Sequence, residues 1–249
     1  MSSPIYSVNP RMNNPNIRPH PPGLWRKVNT SHTFHHVIPS ALLAQVWNRL
    51  VDQHIGTDRP EPRAALRQFL NLCDRNLQNV DDKLDRMRLA NREYLEAINR
   101  KRAAHSKLEP LDTPDADALT KAAIWPAWNI VEGPGNRSDD PKDKGKDEGK
   151  RCDPLRAFDK FTVGLTPAEA NRLKAAGELF ERFLVFVSAG SEADPDSLQM
   201  LASDIVLIRR LSGNDLVGCT EPIPFREGMW LKDEKTGEWR KRLASEEPT

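Results

Sequence analysis

Three of the chain's six histidines fall within five positions, His32, His35 and His36. Histidine exchanges a proton near neutral pH, and its neutral ring also ligates divalent metals. Hydrolysis of a phosphodiester uses both properties. It needs a base to deprotonate water, a cation to neutralise charge on the phosphate and leaving oxygen, and a frame that fixes their separation. The segment His35-His36-Val37-Ile38-Pro39 offers a base and a ligand. Adjacent residues on a strand point to opposite faces, so both rings enter one site only if the chain bends after them. Pro39 is placed to cause such a bend.

The expected other half is the segment 124–141, which carries Trp125, Trp128 and Asn129, a Gly/Pro turn, then Asn136, Arg137, Asp139 and Asp140. Amide and carboxylate oxygens ligate hard divalent cations, and an arginine clamps phosphate through paired hydrogen bonds. The plainer reading of the same residues makes Asn129 a turn residue and the aspartates a solvated loop. It makes the two tryptophans core anchors. Immediately afterwards, 142–150 is almost all Lys, Asp, Glu and Gly, which reads as a solvated loop.

His35-His36-Val37-Ile38-Pro39 resembles the first motif of the HNH, or His-Me finger, endonucleases, as found in bacterial toxin domains. The resemblance implies a β-hairpin followed by a helix around one metal ion. It implies that His36 is the general base and His35 a metal ligand. Asn129, with Ile130 and Val131, resembles the family's Asn-Leu-Val segment, whose Asn orients the base or braces the loop. The family's last ligand lies in the range occupied here by Asn136, Asp139 and Asp140. No histidine follows Asn129, so an aspartate, Asp140 first and Asp139 second, or Asn136 stands in for it. About 90 residues separate the two segments, and a helical insertion has to fill that gap.

The elements that must position these residues are mostly helical. A short strand is expected within 25–39, followed by a helix over 41–53 capped by Ser40. Helical periodicity continues through 61–79 and 80–107, with a short helix at 115–123. Thr166-Pro167-Ala168-Glu169 is a capping box with proline in the first turn. It opens a helix over 166–190, and Asp194-Pro195-Asp196 opens another to 212. The segment 230–240 reads as a hairpin with Gly237 in its turn and Trp230 facing Trp239 across it. His54 and His105 fall in helical patterns and are expected at the surface or its boundary. The fold class is therefore mainly α with a small β component: a ββα-metal motif embedded in a helical domain, with a C-terminal β-hairpin. The expected organisation is a Pro/Asn-rich arm over 1–24, tail or strap. A nuclease region follows over 25–151, with its helical insertion at 40–123, and then a helical C-terminal region over 152–249.

Composition limits the alternatives. Net charge is +1 over 249 residues, so contact with phosphate has to come from a local patch rather than bulk charge. Cys73, Cys152 and Cys219 are far apart with no CxxC pair, which argues for free thiols and against a zinc knuckle or disulfide framework. No apolar run approaches the roughly 20 residues needed to span a bilayer, and the N-terminus lacks the pattern of a secretory signal peptide.

The leading reading is a metal-dependent endonuclease with one Mg²⁺, Mn²⁺ or Zn²⁺, acting on DNA before RNA, with Arg137 on the substrate phosphate. The resemblance implies an antibacterial toxin held by an immunity protein. Such a toxin is cytoplasmic in its producer and reaches a target cell without a cleaved signal. Two other readings stand beside it: a non-enzymatic helical interaction or adaptor protein, and another metal-dependent hydrolase.

Overall fold

A computed structural model describes residues 6, 31–103, 114–136, 164–189, 195–212, 216, 218–242 and 246. The chain order is β1 (His32–His36), α1 (Ser40–Gly56), α2 (Pro60–Cys73), α3 (Val80–Ala103) and α4 (Pro114–Ile124). A 3₁₀ turn (Ala127–Asn129) leads into β2 (Ile130–Pro134). Then come α5 (Pro167–Ser188), α6 (Pro195–Ser212), β3 (Trp230–Lys232) and β4 (Trp239–Lys241). The protein is mainly helical with two small antiparallel sheets, as its periodicities indicate.

Four helices separate β1 from β2, yet the two strands pair. Their antiparallel register runs from His32 opposite Pro134 to His36 opposite Ile130. Val131 also bridges Ile223 in parallel fashion, with Glu132 N donating to Ile223 O and Ile223 N to Ile130 O. β2 is thus bonded on both edges, and all five of its residues are buried.

Pro39 acts differently from expectation. β1 is regular through His36, and Pro39 is the residue before α1, with its carbonyl accepting from Leu42 and Leu43. Ser40 is inside the helix, and no side chain caps that end. α2 stops at Cys73, earlier than its periodicity suggests. Asp74 accepts from Asn76 N through its side chain, and Asn79 takes a left-handed φ of 55° that no helix continues through. In the C-terminal hairpin, Trp230 lies opposite Lys241 and Trp239 opposite Lys232, so the two indoles do not face each other. Trp230 instead packs into the core beside β2, and Trp239 meets Phe225 edge-on.

One hydrophobic cluster joins these parts. It includes Trp47 of α1, Phe69 of α2, Trp128, Phe183 of α5, Ile205 of α6 and Trp230 of β3. Buried nitrogens within it find carbonyls: Trp128 Nε1 donates to Leu72 O at 2.8 Å, and Trp47 Nε1 to Tyr6 O at 2.6 Å. Of the N-terminal arm only Tyr6 is among the described residues, and it is buried. His54 is wholly buried rather than at the surface, with Nε2 donating to Leu84 O of α3. No described helix is long and apolar enough to cross a membrane.

At the start of α5 the capping box forms as read. Thr166 Oγ1 accepts from Glu169 N, and the Glu169 carboxylate accepts from Thr166 N. The same carboxylate takes a two-pronged bond from Arg226, at 2.7 Å on each arm, which ties the helix start to the chain entering β3. Thr166→Ala should therefore lower unfolding free energy by about 1 kcal/mol, the usual worth of an N-cap. Urea denaturation checks this, and an unchanged midpoint would refute it.

Candidate functional site

The pairing of β1 with β2 brings the two sequence segments together. Asn129 sits one residue before β2, in the 3₁₀ turn, and is fully buried. Its Oδ1 accepts from Ile38 N at 2.6 Å and its Nδ2 donates to Ile38 O at 2.9 Å. Its own carbonyl accepts from Val37 N at 2.8 Å. Asn129 thus extends the ladder past the end of β1 by two residues, through a side chain as well as the backbone. This is the satisfaction of backbone groups that a turn Asn ordinarily provides.

His36 and His35 lie next to each other but reach different neighbours. His36 packs beside Trp125, ring centroids 4.3 Å apart, and its Nε2 donates to Ile124 O at 2.9 Å. His35 is buried on the other side of the strand, with Nε2 bonded to Pro134 O at 3.0 Å and Trp230 at 6.0 Å. Each ring is therefore tied at Nε2 to a main-chain carbonyl, which as acceptor assigns a proton to that nitrogen. Burial lowers the His36 pKa to about 4, outweighing the opposing carbonyl bond, with nearby His35 lowering it further. At neutral pH His36 is an uncharged base.

Asn136 is exposed at the end of β2, and its carbonyl accepts from Trp239 N at 2.9 Å. Arg137, Asp139 and Asp140 lie outside the described residues. Among the described residues no group of three or more His, Cys, Asp or Glu is placed to hold a metal ion. What β1 offers is two adjacent histidines, each with Nε2 committed to a main-chain carbonyl.

Three supports of this region carry no recognisable motif. Gly133 lies directly against Trp230; an added Cβ would fall 2.5 Å from that indole and 2.9 Å from the His35 ring. Glu132, buried, stands 3.7 Å from His32 Nδ1, while the His32 ring stacks on Phe225 at 3.8 Å. Arg172, buried on α5, donates to the carbonyls of the Asn129 turn. Only Arg172 leaves a trace in the sequence, as a charge within the inward stripe of its helix.

Two outcomes follow. Gly133→Ala should destabilise the fold by about 1–3 kcal/mol through overpacking against a ring that cannot withdraw, measurable by chemical denaturation. His36, whose folded pKa lies below its ordinary 6.5, binds a proton more readily in the unfolded chain. Its contribution is complete above pH 6.5 and is lost as pH falls from there through about 4. An NMR titration of the His36 ring should show a midpoint near 4, and a midpoint at or above 6.5 would contradict the packing described.

Set against known proteins, the chain matches no family model, no curated protein and no solved structure.

Proposed function

We propose that the protein is a metal-dependent endonuclease whose site is built on β1 and the segment that begins at Asn129. One observation carries this reading: residues 91 positions apart, Ile38 and Asn129, are bonded through both donor and acceptor of the Asn side chain. That bond ties the chain just after His36 to the start of the segment that, in this reading, completes the site. The finer fold assignment, a ββα-metal motif with four helices inserted between its strands, belongs to the same proposal.

In this reading His36 accepts the proton of the attacking water through Nδ1, its Nε2 being held by Ile124 O. His35 would hold the metal with Asp140, Asp139 or Asn136. A divalent metal in that place supplies charge neutralisation for the phosphate and the departing oxygen. Arg137 would clamp the substrate phosphate. On the resemblance to toxin nucleases, DNA is the first substrate and RNA the second. The same resemblance assigns an antibacterial role, an immunity protein as partner, and delivery to a target cell.

A helical interaction protein is the second reading, and one observation favours it. Met200, Leu207 and Leu211 form an exposed apolar stripe along α6, beside exposed Val185 of α5.

Plasmid cleavage with Mg²⁺ or Mn²⁺ separates the two. The wild type should cut, chelator should abolish cutting, and His36→Ala should lose a factor of about 10² or more, the usual contribution of a general base. A wild-type protein that binds no divalent metal and cuts neither DNA nor RNA would sink the nuclease reading and leave the interaction protein.

A further inference from the structure

The turn that carries Asn129 is held from outside its sheet. Arg172, in the second turn of α5, reaches across with Nε donating to Trp128 O at 3.1 Å. Its Nη2 donates to Ala127 O at 2.5 Å and to Ile130 O at 3.2 Å. Burying a guanidinium is unfavourable unless its donors are matched, and apolar residues often serve a core better. Burial here pulls the Arg172 pKa below its ordinary value. An arginine in this place is explained by what it bonds.

The carbonyls it bonds surround Asn129. Accounting for the turn makes the point. Pro126 O accepts from Asn129 N, and Asn129 O from Val37 N. Ala127 O accepts from Ile130 N, and Ile130 O from Ile223 N. Arg172 adds a second donor to both of those last two, and supplies Trp128 O, which lies between them. A planar, forked cation spans residues on either side of Asn129 in a way that a single ammonium cannot.

We propose that Arg172 is a positioning residue for the His36 site: it holds the 127–130 turn in the geometry that lets the Asn129 amide clamp Ile38. The consequence for activity rests on the nuclease reading, whereas the consequence for the clamp does not. The path is short. Arg172 fixes the turn, the turn fixes Asn129, and Asn129 fixes Val37 and Ile38 immediately after His36.

The test compares the full-length wild type with Arg172→Lys, which keeps the charge without the fork, and Arg172→Met, which keeps apolar bulk alone. The first readout is amide hydrogen exchange at Val37 and Ile38, whose N–H groups donate to Asn129, against Phe69 and Leu70 in α2. Both variants should speed exchange at Val37 and Ile38 by about tenfold relative to α2, as expected for a locally loosened buried bond. The second readout is plasmid cleavage resolved into kcat and KM. The value of kcat should fall about tenfold or more with KM within about twofold, because a misplaced base weakens the transition state and not substrate binding. Adding Asn129→Ala to Arg172→Met should then change little, since both act through one contact.

Equal acceleration at all four amides, or none at Val37 and Ile38, overturns the proposal, as does a raised KM with unchanged kcat. Should Arg172→Met fail to fold, Arg172→Lys carries the same comparison. A wild type that cuts no nucleic acid removes the nuclease reading, and the exchange comparison still decides what Arg172 does.

Discussion

The side-chain amide of Asn129 does for Ile38 what a neighbouring strand would do. β1 ends at His36, and the chain then turns into α1 through Val37, Ile38 and Pro39. Ile38 is fully buried, so its N–H and C=O are cut off from water and need partners. A carboxamide presents a donor and an acceptor in one plane, matching a peptide edge. Aspartate would supply only the acceptor, and an apolar residue neither. The clamp therefore sets where α1 begins, keeps β1 and β2 in register beyond their last pair, and fixes His36 against Trp125 and Ile124.

The helices were legible because their signals are local. The Thr166–Glu169 box, the apolar spacing of Leu66, Phe69, Leu70 and Cys73, and the prolines at 60, 62, 167 and 195 all act within one or two turns. The site was legible by residue type, through the histidine pair and Asn129. The facing of its two segments was legible only through the resemblance, because strand pairing across four helices leaves no periodic trace. The same limit explains the two tryptophans of the C-terminal hairpin. Their spacing suggests a cross-strand pair, yet a loop of this length sets a register in which each faces a lysine. Trp230 is then free to serve β2, where only a glycine at 133 allows it to approach. His54 illustrates a different failure. Its place in a helical pattern suggested the surface or its boundary, and the packing of α3 over α1 buries it.

Electrostatics at the site are set by backbone more than by charge. His36 and His35 each bond a main-chain carbonyl, and Arg172 bonds three. Carbonyls orient a ring or a guanidinium without donating a full negative charge. A carboxylate beside His36 would raise its pKa and favour the imidazolium, whereas burial beside a carbonyl holds it near 4. The result is an uncharged nitrogen at physiological pH. The two rings nevertheless reach different neighbours, one towards Trp125 and the other towards Trp230. The chain leaves β2 towards Asn136 at the His32 end of the ribbon, whereas His36 lies at the Ile130 end.

A two-stranded ribbon of five residues per strand is marginal by itself in water. Here it persists because later parts of the chain are built around it. Ile223 bonds the open edge of β2, Trp230 covers one face, and Trp239 N–H holds the carbonyl of Asn136 where the chain departs. Arg172 comes from α5, whose Phe183 packs against Phe69 of α2 in the common core. Each contact comes from the last third of the sequence and ends on β2 or its flanks. The strand pair that carries the histidine segment is therefore supported by side chains and backbone groups from beyond residue 164, distant in sequence from both strands.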